Sequence, residues 1–307
     1  MSLKKTLKSI TGADAYMTWQ RVEFEKQKLL IAKGIINNMR SNYNKVMDFS
    51  EVEFSVFSQI GDDGIIQYLI NQIDIPNKYF IEFGVQNYIE STTRFLMMND
   101  NWSGLIYDGS KEFIDFIQND YYYWLYDLKA RNLFITAENI NTAFINENVP
   151  KEPGILHIDI DGNDYWIWKA INSINPIIVI MEYNSGFGDE RSITVPYKPD
   201  FERYNAHYSG VYFGSSLKAL CNLADEKGYS FVGSNSYGNN AYFVRNDKLI
   251  NLKKLSCEEG YRFSKARQNK DANGKFTYIS DYDLLKTFNT LEVFNTETNQ
   301  LEKLNLK

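Results

Sequence analysis

Cysteine is scarce in this sequence: its 307 residues include only Cys221 and Cys257. Two cysteines are too few for a disulfide framework, and they lie far from any CxxC spacing. No stretch reaches the roughly 20 apolar residues that a membrane-spanning helix needs. The basic start, with Lys4, Lys5 and Lys8, has no apolar run behind it and is not expected to be a signal peptide. A reducing cytoplasm is the compartment that fits these absences.

Positive charge is also limited, with 33 Lys and Arg against 39 Asp and Glu, for a net charge of -6. Phosphate recognition needs concentrated Lys and Arg, so a broad nucleic-acid-binding face is not expected. The chain is long enough to bury a sizeable core. Its 22 Tyr provide flat faces and hydroxyls, which suit either packing or contacts with a carbohydrate.

Apolar runs and helical patterns alternate through the middle of the chain. Helices are predicted over residues 14–41 and from Asp62 onward. The predicted strands are 79–84, 104–108, 133–136, 154–160 and 176–183, and the helices between them are 91–99, 111–119, 140–146 and 164–174. Such alternation predicts a parallel sheet that is covered by helices on both faces.

The end of this region narrows the fold class. A predicted helix over 215–227 precedes two strands, 229–233 and 241–245, which the turn-rich segment 235–240 joins as a hairpin. Parallel strands that finish in a helix and an antiparallel hairpin are typical of the Rossmann-like α/β sheet of class I methyltransferases. We therefore expect an N-terminal helical region (1–56), a methyltransferase domain (57–250) and a C-terminal extension (251–307) that forms a cap or an oligomer contact.

The first strand ends in a candidate cofactor loop, Glu82–Asn87 (EFGVQN). Ligands of open α/β sheets bind at the carboxyl ends of the strands. Gly84 permits close backbone approach, Glu82 can accept hydrogen bonds, and Asn87 lies in the same turn. The further glycines that seat a pyrophosphate are missing, which favours S-adenosylmethionine over NAD.

The second and third strands provide further cofactor candidates. Asp108 ends the second strand, where a carboxylate can bind both hydroxyls of a ribose, with Gly109 and Ser110 beside it. The alternative is a helix N-cap, because Asp and Ser both cap well. Glu138 and Asn139 follow the third strand, where they are expected to contact adenine.

Polar side chains at the ends of the fourth and fifth strands form the candidate acceptor side. His157, Asp159 and Asp161 alternate along one strand and therefore point to one face. Glu182 and Asn184 share a face of the next strand. We expect His157, Glu182 and Asn184 to bind the acceptor, together with Asp164 of the following helix. The carboxylates Asp159, Asp161 and Glu182 could instead hold Mg²⁺.

The segment 184–214 is long for a loop, and such loops usually cover a binding site. Tyr208 is a candidate acceptor contact in this segment, as are Tyr197, Tyr204 and Tyr212. His207, one of only two histidines, is a candidate base or a surface residue.

The segment Gly154–Ile171 (GILHIDIDGNDYWIWKAI) resembles the K-I-D-V-E-G-x-E segment of FkbM-type methyltransferases. Asp159 and Asp161 occupy its first two acidic positions, while His157 stands in place of the usual Lys. Phe57–Ile66 and Phe80–Val85 are similar to the opening of the same family, so the resemblance spans about residues 57–245. It implies an S-adenosylmethionine-dependent O-methyltransferase that acts on a sugar or another small hydroxyl compound.

A neutral hydroxyl is a poor nucleophile, so a base or a metal must act on its proton. We expect Asp161 to be the base, with His207 as the next candidate, and Asp159 to orient the acceptor or hold a cation. Two other functions fit parts of the pattern. A metal-dependent nucleotide-sugar transferase would use Asp159 and Asp161, and a methyltransferase-like fold could serve as a binding module without catalysis.

Overall fold

A computed structural model describes residues 12–288 and 290–306 of the chain. Lys4, Lys5 and Lys8 lie outside the described residues. The chain divides into two compact units at Val46. The described part of the first unit contains helix α1 (Ala13–Arg40), which confirms the predicted helix, and a 3₁₀ turn. None of the described helices is both long and apolar enough to cross a membrane.

The second unit is built around a seven-stranded sheet with the order β3-β2-β1-β4-β5-β8-β7. Its strands are β1 (Tyr79–Phe83), β2 (Ser103–Asp108), β3 (Leu128–Asn132), β4 (Ile155–Ile158), β5 (Ile178–Glu182), β7 (Tyr229–Ser234) and β8 (Asn240–Arg245). Strands β1 to β5 are parallel, and β8 pairs antiparallel with both β5 and β7. The Rossmann-like sheet with a terminal hairpin is therefore confirmed.

Helices connect and cover these strands. They are α2 (Asp62–Gln72), α3 (Arg94–Asp100), α4 (Lys111–Gln118), α5 (Ile140–Asn146), α6 (Asp164–Ala170), α7 (Arg203–Ala206), α8 (Leu217–Lys227), α9 (Cys257–Gly260) and α10 (Asp281–Leu285). The sequence explains several of their ends. Ser216 caps α8 through its hydroxyl, and Gly228 follows it with a φ of 81°.

One face of the sheet buries the main hydrophobic core. Leu156 and Val179 of the central strands pack there with Leu220 of α8 and with Trp168 of α6. The ring centroids of Trp168 and Phe243 lie 5.1 Å apart. Burying one large apolar side chain contributes about 1.5–3 kcal/mol, so this core holds α6 and α8 against the sheet.

The predicted third strand, 133–136, is wrong: the strand is β3, Leu128–Asn132. β3 lies at the edge of the sheet, where only alternate residues are buried. Lys129 and Arg131 remain partly exposed and pair with Glu147, so this segment lacks a continuous apolar run. The apolar residues 133–135 follow the strand and line a cleft instead.

A second, smaller sheet has the order β10-β9-β6. Its strands are β6 (Ile193–Thr194), β9 (Glu292–Asn295) and β10 (Gln300–Lys303). A separate core lies beside it, where Ile193 and Val211 pack with Leu285 and Val293. The C-terminal residues thus belong to the same compact unit as the large sheet, and they pack with the 184–214 segment.

Candidate functional site

A cleft of about 820 Å³ opens at the carboxyl ends of β1, β2, β4 and β5. The chain crosses from one side of β1 to the other here, since β2 and β4 are its two neighbours. Open α/β sheets bind their ligands at such a switch point. The loops after β1, β2 and β3 line one end of the cleft, and residues 264–282 of the C-terminal segment contribute to its wall.

Gly84 brings the loop after β1 against the end of β4. Its φ is +71°, and a Cβ at this position would lie 1.9 Å from the carbonyl oxygen of Asp159. No other residue type fits a left-handed conformation and such a close contact together. The glycine of the EFGV turn therefore positions Asp159 beside the predicted cofactor loop.

Glu82 is buried at the end of β1 and bound by protein donors. Its carboxylate accepts hydrogen bonds from the backbone of Thr92 and Thr93, at 2.9 and 3.1 Å, and from both the Ser91 and Thr93 hydroxyls. Nδ1 of His157 lies 3.1 Å from its Oε1. Glu82 thus holds the segment 91–93 and one histidine, in addition to lining the cleft.

His157 lies beside Glu82 in the parallel register of β4 and β1. Burial disfavours its charged form, but the hydrogen bond and charge of Glu82, with the charges of Asp159 and Asp62, outweigh burial and raise the pKa of His157. Nε2 of this buried, cleft-lining ring has no hydrogen-bond partner among the described residues. A polar atom in that position is available to a ligand.

Asp108 connects the first two loops of the cleft. Its carboxylate accepts hydrogen bonds from the backbone of Gln86 and of Ser110, both at 2.7 Å. Burial raises its pKa, and these two hydrogen bonds oppose the shift. The N-cap of α4 is Ser110, whose hydroxyl accepts from Phe113, so Asp108 itself is not the cap. Asp108 and Gly109 line the cleft next to Asn87.

The carboxylates of Asp159, Asp161 and Glu182 meet in the part of the cleft beside β4 and β5, with oxygens within 4.8 Å of one another. The Asp161 carboxylate forms a salt bridge of 2.5 Å with Arg203. Among the described residues, none donates a hydrogen bond to the partly exposed Asp159 carboxylate or to Oε2 of Glu182. The sequence predicted this convergence, and the structure places the three side chains together.

The two carboxylates without hydrogen-bonding donors have perturbed acidities. Burial, followed by the charge of Asp161, raises the pKa of Asp159 to about 7. Burial, followed by the charge of Asp159, raises the pKa of Glu182 well above its ordinary value. A carboxylate with a pKa near neutrality can exchange a proton with a substrate, which is typical of an active site.

Several residues predicted for the site either lie outside the cleft or are already bound by neighbouring backbone. Asp164 is buried below the loop after β4 and accepts hydrogen bonds from Ile160 and Gly162. Asn184 lines the cleft, but both ends of its amide bind neighbouring backbone. Glu138, Asn139, Ser110, His207 and Tyr208 are not part of the cleft lining. Nδ1 of His207 lies 2.7 Å from the hydroxyl of Ser209, which occupies one of its ring nitrogens.

Several charged cleft residues were not predicted. Asp62, at the start of α2, accepts hydrogen bonds from Tyr242 and from Asn240. Arg203 reaches Asp161 from the long loop, and Asp281 belongs to the C-terminal segment. Two consecutive aspartates at the start of α2 were the only local signal, and they are equally typical of a helix start.

No family model matches the chain, and no curated protein matches it. Solved methyltransferases are similar in fold. An O-methyltransferase from Bacillus cereus in complex with SAH is 15% identical over 55% of this chain and 74% of that chain, with a TM-score of 0.35. An S-adenosylmethionine-dependent methyltransferase from Clostridium acetobutylicum is 11% identical over 68% of this chain and 98% of that chain (TM-score 0.38). The CurJ carbon methyltransferase is 8% identical over 64% and 56% of the two chains (TM-score 0.40).

Proposed function

We propose that this protein is an S-adenosylmethionine-dependent O-methyltransferase of the FkbM type whose acceptor is a small hydroxyl compound of the sugar or glycan-precursor class. The observation that carries the proposal is the composition of the cleft at the switch point of the sheet. A single-glycine turn and Asp108 lie at the ends of β1 and β2, and a group of carboxylates around Asp159 lies beside them, at the ends of β4 and β5.

The charge of the cleft fits this cofactor. Arg203 is the only Lys or Arg among the described residues that line it, and it is already bound to Asp161. The diphosphate of NAD or of a nucleotide sugar would therefore lack a free cationic partner. S-adenosylmethionine has no phosphate and carries a positive sulfonium, which acidic side chains stabilise.

Residues at the β1 and β2 end would hold the nucleoside part of the cofactor. Asp108 is in position to accept hydrogen bonds from ribose hydroxyls, since each carboxylate oxygen can accept more than one. Leu133, Phe134 and Ile135 line the same end and offer apolar surface for an adenine ring. This replaces Glu138 and Asn139 as the residues proposed beside the adenine.

Asp159 is the residue that we propose as general base, in place of Asp161. Asp159 faces the cleft without a described donor, whereas Asp161 is held by Arg203. When bound, S-adenosylmethionine supplies the electrophilic methyl group. Asp159 then accepts the proton of the acceptor hydroxyl, and the cleft walls align that oxygen for in-line attack.

Ligand-induced stabilisation tests this function directly. S-adenosylhomocysteine should raise the melting temperature, because a ligand at a hundredfold excess over its Kd contributes about 2.7 kcal/mol. NAD and UDP, measured in parallel, should not. Transfer of labelled methyl groups to a panel of sugars would then identify the acceptor. A shift with NAD or UDP alone would contradict the proposal.

Metal-assisted transfer is a second candidate, because the oxygens of Asp159, Asp161 and Glu182 lie close enough to share one cation. In that mechanism, chelator would abolish turnover, Mg²⁺ or Mn²⁺ would restore it, and S-adenosylhomocysteine would still bind. We favour the metal-free mechanism, since Arg203 already neutralises Asp161.

A further inference from the structure

We propose that the acceptor end of the cleft binds a protonated amine through Glu182 and Asn240, so that the acceptor is an amino-bearing hydroxyl compound such as an amino sugar. This inference rests on the proposed function and adds the charge of the acceptor to it. Two observations carry the proposal. One carboxylate oxygen and one amide oxygen lack a hydrogen-bond donor, and the charges around them favour a cation.

Asn240 provides one oxygen of this amine subsite. Its side chain is only 3% exposed and lines the cleft. Nδ2 donates a hydrogen bond of 3.2 Å to Asp62, which fixes the orientation of the amide. Oδ1 is consequently directed away from Asp62, and it has no donor among the described residues. A buried acceptor without a donor is costly, and a ligand N–H group would remove that cost.

Glu182 provides the second oxygen. Glu182 and Asn240 are directly opposite each other in the antiparallel pair of β5 and β8, so their side chains are neighbours on one face. Oε2 of Glu182 is inaccessible to solvent and likewise lacks a donor within the described part of the chain. With Glu182 ionised, both atoms are acceptors, so the complementary group must donate hydrogen bonds.

The charges around this pair favour a cationic donor over a neutral one. His157 and Glu82 pair with each other, and Arg203 pairs with Asp161. Asp159 and Glu182 therefore have no salt-bridge partner of their own among the described residues that line the cleft, and burial raises the pKa of Glu182, so its ionised form needs a further positive charge. An ammonium group would supply one positive charge together with three N–H donors.

An ammonium group fits the local charges better than a divalent ion does. A metal bound by Asp159, Asp161 and Glu182 would lie next to the guanidinium of Arg203, which repels it. Glu182 ends β5 and Asn240 begins β8, and Glu182 also lies close to Asp159. An oxygen of Asp159 is within 4.8 Å of one of Glu182. Hydrogen bonds of about 2.8 Å to an amine and to a hydroxyl on adjacent carbons would span that separation.

Two sugars that differ in one group test the amine subsite. D-Glucosamine and D-glucose would be titrated into the full chain by ligand-observed NMR, with and without S-adenosylhomocysteine. We expect glucosamine to bind about 10- to 100-fold more tightly, because hydrogen bonds between charged groups contribute that much. Glu182→Gln keeps the shape and removes the charge, so it should reduce the preference to less than about threefold. Asn240→Leu should weaken glucosamine binding as well.

Asp115→Asn is the matched control, since Asp115 is an exposed carboxylate on α4 and pairs with Lys111. It should leave the preference unchanged. Equal affinity for the two sugars, no binding of either at about 10 mM, or a preference that survives Glu182→Gln would each overturn the inference. MgCl₂ is titrated in a separate experiment. If Mg²⁺ binds in a way that depends on Glu182 and glucosamine does not bind, the amine inference is overturned in favour of a metal site. Thermal stabilisation by S-adenosylhomocysteine in the same samples reports on the cofactor, so failure of the proposed function is seen independently.

Discussion

Replacing Asp159 by Asn tests the proposed general base. The variant keeps the size of the side chain and its place beside Gly84, but it cannot accept a proton. Burial and the charge of Asp161 raise the pKa of Asp159 to about 7, so ionisation of this carboxyl falls within the working pH range. Because a base acts in its ionised form, activity should rise as the pH increases through that value.

The magnitude follows from the ionised fraction. With a pKa of about 7, roughly a tenth of the Asp159 population is ionised at pH 6 and about nine tenths at pH 8. We therefore expect kcat/KM to increase about tenfold between pH 6 and pH 8 in the native enzyme. In Asp159→Asn, kcat should fall about 10²- to 10⁴-fold and this rise should disappear, while S-adenosylhomocysteine affinity is retained.

Asp161→Asn is the matched variant. Its charge contributes to the raised pKa of Asp159, so removing it should lower that pKa and move the rise in activity to lower pH. Most of the turnover should remain. The test measures initial rates of methyl transfer from labelled S-adenosylmethionine across pH for the native protein, Asp159→Asn and Asp161→Asn. Near-normal turnover in Asp159→Asn, or an equal loss in Asp161→Asn, would refute the assignment of the base to Asp159.

Three further substitutions probe the framework of the site. Asp108→Ala should weaken S-adenosylhomocysteine binding by on the order of 2–3 kcal/mol in calorimetry, and unchanged affinity would mean that Asp108 only holds the two loops. Gly84→Ala should lower the melting temperature and abolish cofactor binding, because its Cβ would collide with the Asp159 carbonyl. Gly228→Ala has a similar φ of +81° but open space around it, so it reports the left-handed backbone cost of about 1–2 kcal/mol alone, and equal losses in the two variants would count against the collision. Glu82→Gln should lower the pKa of His157 in NMR titrations, because burial disfavours the charged ring and the Glu82 charge that offsets this effect is removed. An unchanged pKa would show that the other carboxylates are sufficient to keep the pKa of His157 raised.

The sequence alone was sufficient to predict the central strands and the turn that follows β1. Buried parallel strands need apolar side chains on both faces, so β1, β4 and β5 appear as continuous apolar runs. The edge strand β3 has polar side chains at alternate positions, and its neighbouring apolar run was mistaken for it. The small sheet formed by β6, β9 and β10 has strands of two to four residues, which are too short for a period to be recognised.

Alternation over 154–160 predicted that His157, Asp159 and Asp161 share a face, and the end of β5 indicated where Glu182 would join them. In the structure β4 ends at Ile158 and Asp161 has a φ of 57°, so the loop after β4, and not the strand, directs the two aspartates. A strand's period determines the direction of a side chain, but its partners come from segments that are distant in sequence. Arg203, on the long loop, engages Asp161 and thereby leaves Asp159 as the proposed base.

The same limit applies to the amine subsite. From the sequence, Asn240 is predicted to belong to a hairpin turn. Only the pairing of β8 with β5 places it opposite Glu182. From the sequence, Asp62 is predicted to start a helix. Only the packing of α2 against the sheet allows it to accept hydrogen bonds from Asn240 and Tyr242. Local sequence determined which side chains face the cleft from each strand. The tertiary structure decided which of them are neutralised by a partner and which remain available to a ligand, because burial and charge compensation depend on all the segments that meet there.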